Sequence, residues 1–191
     1  LVAIQGITYN DQNFEQYKNS VDFIKKYIFP GSCLISVAQI SDVIKEYNYL
    51  LMEGYAIICP VYYSTCNRKK VLKTWWANES DEYKDTMIKI GKDFKRSIDF
   101  IESRLEMDIN YLSYIGYSWG SIMSNILLAI DTRVKTAFIC AGGLQVQKSM
   151  PEIDPAIYTR RVFIPVMHIT GKNDGIFDFK NSQLPMQKLL G

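Results

Sequence analysis

This sequence is short of the side chains that carry most chemistry near neutral pH. It holds one histidine, His168, and four cysteines, Cys33, Cys59, Cys66 and Cys140. The cysteines lack the close pairing of a zinc site, so no metal or other cofactor is implied. Cys59 and Cys140 fall in apolar runs that read as buried strands, where a free thiol behaves as a small hydrophobe. Reduced thiols of this kind point to a cytoplasmic protein. No apolar run approaches the ~20 residues of a membrane span, and the N-terminus lacks a signal-peptide layout. Asn78-Glu79-Ser80 fits a glycosylation acceptor, which a cytoplasmic chain leaves idle.

Charge of one sign is equally scarce. A formal net charge of +2 gives no reason to expect nucleic acid or an anionic membrane as a partner. Arg68-Lys69-Lys70 and Arg160-Arg161 read as solvated loop charges. There are no internal repeats and no low-complexity tract. A glycine-rich phosphate loop after the first strand is also missing, which counts against a Rossmann-type nucleotide binder. What remains, at 191 residues, 48% hydrophobic and 22% charged, is an ordinary globular chain of one domain with a real core.

Along the chain, Val2-Ala3-Ile4 and residues 6–9 read as short edge strands, and residues 10–20 as polar turns. Tyr27-Ile28-Phe29 reads as a strand ending at Pro30-Gly31-Ser32. Val43, Ile44, Tyr47, Leu50 and Leu51 recur at helical spacing, and Gly54 marks the stop. Residues 55–61 form a continuous apolar run suited to a strand covered on both faces. A long aromatic connection over residues 62–80 follows. Met87, Gly91, Phe94, Ile98, Ile101 and Leu105 then step along one face of the clearest helix. Residues 134–141 read as another buried strand, closed by Gly142-Gly143. An excursion over residues 144–161 leads to a strand at 165–170, a loop at 171–179 and a helix at 181–190. Strands alternating with helices predict a mostly parallel sheet flanked by helices on both faces, an α/β fold. Ligands bind such sheets at the carboxyl ends of their strands.

The chain is organised around residues 111–128. An apolar, aromatic run reads as a buried strand, breaks at Gly116-Tyr117-Ser118-Trp119-Gly120, and passes at once into a helix-like run. The bare G-x-S-x-G pattern is weak. Its placement between strand and helix is what makes it the nucleophile-elbow signature of a serine hydrolase. A sharp turn lifts the serine hydroxyl clear of the backbone, and glycines on either side let neighbouring chain pass close. The helix that follows aims its first amides at the place where a carbonyl oxygen gains charge.

A serine hydroxyl needs a base, and the base an orienting acid. Asp174, in the turn after the last strand, stands where the acid belongs, with Asp178 as the alternative; a turn-forming role for Asp174 is the competing reading. His168 precedes Asp174 and lies inside a strand, short of its end, so it reads as a core histidine with a local hydrogen bond. The base is therefore missing. Two readings are open: a histidine beyond Gly191, or a hydrolase fold without catalysis. The first is preferred, because Val166, Met167 and Ile169 otherwise lie on an edge strand without a neighbour. Residues 1–191 are thus read as a single domain lacking its last strand, with both ends looking cut. For the oxyanion, the Trp119 amide is one expected donor and the Ser32 amide the other, with Cys33 its rival. Tyr62 and Tyr63, with Trp75 and Trp76, are candidates to line an apolar acyl pocket, against the plainer reading that they pack over the core.

At this point the chain resembles the α/β-hydrolase superfamily, in its dienelactone hydrolase and prolyl-oligopeptidase-like branch. It is most similar to hydrolase domains fused to bacterial eukaryotic-type serine/threonine kinases. The residues that carry the likeness are PGS at Pro30, GYAIICPVYYST from Gly54, RSIDFIE from Arg96, YIGYSWGS from Tyr114, AGGL from Ala141 and GKNDGIFDFKNSQ from Gly171. The resemblance implies Ser118 as nucleophile, Asp174 as acid, the Ser32 and Trp119 amides as oxyanion donors, and a small ester or acyl substrate. The sequence departs from the family pattern at Ser121, where a glycine is common, at Asp178, where a proline is usual, and in the absent histidine.

Overall fold

Local signals specify the helix after Ser80. The Ser80 hydroxyl accepts from the Tyr83 amide at 3.2 Å, and Asp81 and Glu82 occupy the first turn, where carboxylates meet the positive end of the helix dipole. In the computed structural model this helix, α1, spans Asp81–Glu102 and buries Met87, Gly91, Phe94, Ile98 and Ile101. The structure describes the backbone of residues 2–4, and residues 50, 52, 54–65, 68, 72 and 74–190. Leu105, expected on the same apolar face, is instead fully exposed. The helix stops at Glu102, and the Ser103 hydroxyl turns back onto the Phe100 carbonyl at 2.7 Å. The chain beyond it therefore leaves the helical path before Leu105.

Four parallel strands follow the order β1-β2-β3-β4, with β1 at Val2–Ile4, β2 at Ser113–Tyr117, β3 at Thr136–Cys140 and β4 at Val166–Ile169. Because side chains alternate along a strand, the register Ile115–Phe138–Met167 places those three on one face. Tyr114, Ala137 and Ile139 point to the other face and are buried. There Tyr114 meets Phe94 of α1 edge to face at 6.2 Å. Helix α2 (Trp119–Ile130) is buried at every position from Trp119 to Leu128. Its polar residues are mostly satisfied internally: Ser124 donates to the Ser121 carbonyl, Asn125 to the Ile122 carbonyl, and Asn125 Oδ1 accepts from Thr159. The opposite sheet face borders a cavity of about 790 Å³ lined in part by Leu50, Tyr55, Phe138 and Met167.

Several expectations meet a different structure. Residues 55–61 make a single bridge at Ile58, not a strand, although Ile58 and Cys59 are buried as the apolar run required. The excursion at 144–161 contains a 3₁₀ turn at Pro151–Ile153 and a short helix, α3 (Pro155–Thr159). The Asp154 carboxylate caps α3 and Pro155 opens it, a start signal carried by adjacent residues. The last helix begins as a wide π turn at Phe179–Gln183 before α4 (Leu184–Leu189). The strand placed at Tyr27-Ile28-Phe29 and most of the helix ending near Met52 lie outside the described residues. Strand β4 ends the described order, with Met167 62% and Ile169 49% exposed. No described helix is long and apolar enough to cross a membrane.

Candidate active site

Ser118 sits directly between β2 and α2, as the N-cap of the helix, with φ 50° and ψ −108°. A non-glycine residue here is strained; two hydrogen bonds hold its backbone, and the chain packs tightly around the turn. Its amide donates to the Cys140 carbonyl at 2.9 Å, extending the β2–β3 ladder one step past the strand. Its carbonyl accepts from the Ile122 amide at 3.1 Å, closing the first helical turn. Tyr114 Oη donates to the Gly120 carbonyl at 2.6 Å from beneath. Gly116 is required because a Cβ there would lie 2.7 Å from the Gly120 carbonyl oxygen. Gly142 is required because a Cβ there would lie 2.3 Å from Ser121 Oγ and 3.4 Å from the Ser118 carbonyl. The hydroxyl of Ser118 makes no capping bond and the residue is partly exposed, so its oxygen remains available.

The strands are parallel, so the loops after β2, β3 and β4 all emerge at one edge. Ser118 follows β2, Asp174 follows β4, and β3 lies between them. Asp174 Oδ1 accepts the amides of Ile176 at 2.7 Å and Phe177 at 2.9 Å. This shapes the loop as an Asx turn and leaves Oδ2 without a hydrogen bond among the described residues. Asp178 caps the following π turn, accepting from the Lys180 and Asn181 amides at 3.1 and 2.8 Å. As the first residue of α2, Trp119 has an amide with no carbonyl four residues back. Its ring meets Trp75 edge to face at 5.1 Å, and its indole nitrogen is buried without a partner among the described residues. Ser32 and Cys33 lie outside the described residues.

The two tyrosines separate. Tyr62 is 1% exposed within the core, where burial holds its phenol well above the ordinary value. That placement is the packing role, with no ring surface offered to a pocket. Tyr63 is half-buried beside α1, its amide donating to Asp93 at 2.6 Å and Lys89 lying over its ring. Trp75 is the aromatic that approaches the elbow. Gln145 holds that segment, accepting from the Ala77 amide at 3.0 Å and Tyr83 Oη at 3.2 Å and donating to the Trp75 carbonyl at 3.4 Å. Nothing in the sequence marked Gln145, because its partners lie some 60–70 positions away.

His168 has two polar partners of its own. Its Nε2 lies 3.2 Å from the Gly142 carbonyl and its Nδ1 3.5 Å from Gln187 Nε2. A carbonyl only accepts and an amide nitrogen only donates, so these two partners suit a neutral ring with its proton on Nε2. Partial burial lowers its pKa below the usual 6.5, opposed by the bond to Gly142.

A parallel sheet with a strained serine between strand and helix, and a carboxylate turn two strands on, is the arrangement of the α/β-hydrolase fold. The family model described as "Serine hydrolase (FSH1)" matches residues 35–187, and the chain belongs to that serine hydrolase family. No curated protein matches it.

Proposed function

We propose that this protein hydrolyses a carboxylic ester or a related small acyl compound through an acyl-enzyme on Ser118. The observation that carries the reading is the backbone of Ser118, held at φ 50° at the carboxyl end of a parallel strand with its hydroxyl uncommitted. In this reading Ser118 attacks the acyl carbon, the alcohol leaves, and water releases the acid in a second step. The Trp119 amide at the start of α2, with a second amide assigned to Ser32, faces the oxyanion. Asp174 orients the base through the oxygen that the Asx turn leaves unbonded. His168 is engaged with Gly142 and Gln187 and is not assigned the part of base. Trp75, edge-on to Trp119, supports an apolar acyl group better than Tyr62 does.

The engagement of His168 favours a second reading: a hydrolase-fold module that binds without catalysis, within a longer, kinase-linked chain. A fluorophosphonate probe separates the two. Labelling of the full-length protein that is lost in Ser118→Ala supports the hydrolase. A folded protein that stays unlabelled, or a Ser118→Ala variant that hydrolyses a p-nitrophenyl ester at the parent rate, overturns it.

A further inference from the structure

Two non-glycine residues with left-handed backbones stand side by side at the carboxyl edge of the sheet. Ser118 follows β2, and Ala141, at φ 51°, follows β3. Residues in such conformations persist only where their surroundings over-determine them. Ala141 is held on one side by its amide, which donates to the Ile169 carbonyl of β4 at 2.9 Å. On the other side is Gly142, whose carbonyl takes the hydrogen bond from His168. Gly142 is in turn the backstop of the elbow, packed against Ser121 so closely that no side chain fits. The residue before Ala141, Cys140, supplies the carbonyl that fixes the Ser118 amide. A single crossing, Cys140-Ala141-Gly142, therefore bonds the amide of the serine and packs against Ser121 in the first turn of α2, and one imidazole grips that crossing from β4.

We propose that His168 is a positioning residue for Ser118, holding the Ala141–Gly142 crossing against the nucleophile elbow through its Nε2–H bond to the Gly142 carbonyl. The proposal rests on the reading of Ser118 as nucleophile. Gln187 of α4 completes the device: by donating to Nδ1 it selects the tautomer whose proton faces Gly142. A positioning role explains why a histidine inside a strand, facing helix α4, carries two polar partners and no charged one. Without the grip the strained crossing relaxes, and the serine moves with it. Displacement of a reacting atom by a fraction of an ångström is enough to slow chemistry without altering substrate binding.

The test compares full-length parent protein with His168→Gln, which keeps a donor at about the Nε2 distance, and His168→Asn, whose donor is too short to reach Gly142. Both are smaller than histidine and neutral. The expected result is a fluorophosphonate labelling rate and an ester kcat reduced about tenfold in His168→Asn, with KM unchanged, and near-parent values in His168→Gln. His168 is the only histidine of these 191 residues, and its ring nitrogen NMR shifts at pH 7, assigned by their loss in His168→Gln, report its tautomer, with Nε2 expected to carry the proton. A His168→Asn variant that labels at the parent rate, or a ring protonated on Nδ1, overturns this proposal alone. A parent protein that does not label overturns the Ser118 reading and this one with it.

Discussion

If Ser118 is strained for the sake of its hydroxyl, removing the side chain that suffers the strain should stabilise the protein while destroying its activity. The backbone at φ 50° and ψ −108° lies far from any well an L-residue favours, a cost of about 1–3 kcal/mol. Ser118→Gly removes that cost. It also restores freedom to the unfolded chain, which subtracts about 0.4–1 kcal/mol. The hydroxyl makes no capping bond, so nothing else is lost. The net is a gain of about 1 kcal/mol, which for a chain of this size raises Tm by roughly 2–4 °C. Ser118→Ala is the control, because it removes the same hydroxyl and keeps the same strain; its Tm should stay within about 1 °C of the parent. Thermal unfolding followed by circular dichroism, with ester hydrolysis measured alongside, decides the matter. Both variants should be inactive and only the glycine variant more stable. A Tm for Ser118→Gly at or below that of Ser118→Ala would refute the claim that the elbow stores strain.

Gly142→Ala should lose about 2–3 kcal/mol in urea unfolding, since its Cβ would lie 2.4 Å from the Cβ of the fully buried Ser121; adding Ser121→Gly should recover most of that loss, and strict additivity would show that the two do not share one space. Arg133→Ala should destabilise by about 2 kcal/mol by the same measurement, because it removes the guanidinium from both oxygens of Asp131, whose side chain is only 4% exposed, and leaves only the amide of residue 133 on Oδ1. The lowered pKa of His168 makes a prediction about acid. As pH falls below 6.5 the unfolded chain takes up a proton that the native ring still refuses, so stability drops until the native ring also titrates. The Tm of the parent should therefore fall faster than that of His168→Gln as pH is lowered from 7 toward 5, and parallel curves would contradict the assignment.

Much of the sheet was legible because its signals are local. The apolar run before Gly116, the Gly-x-Ser-x-Gly break and the run after it place a strand, a strained turn and a helix without reference to any distant residue, and the structure shows β2, Ser118 and α2 in that order. The helix face from Met87 to Ile101 was equally plain, its end less so, because Leu105 continues the period while Ser103 terminates the backbone pattern. Residues 55–61 looked like a buried strand because the run is apolar, yet only its middle, Ile58 to Pro60, is buried and Tyr55 is exposed; an apolar run alone does not supply a ladder, and a single bridge at Ile58 satisfies the same pattern.

By itself, then, the amino-acid order determined the alternation of strand and helix, the position of the strained turn at Ser118 and the loop that carries Asp174, because each depends on residues within a few positions of one another. Only the tertiary structure decided that Tyr62 is core, that Gln145 anchors Trp75, that Gly142 makes way for Ser121, and that His168 faces Gly142 instead of the serine. Those outcomes join residues between 19 and 70 positions apart, and which side chain meets which backbone across such separations is set by how helices and strands pack, a quantity no local pattern contains.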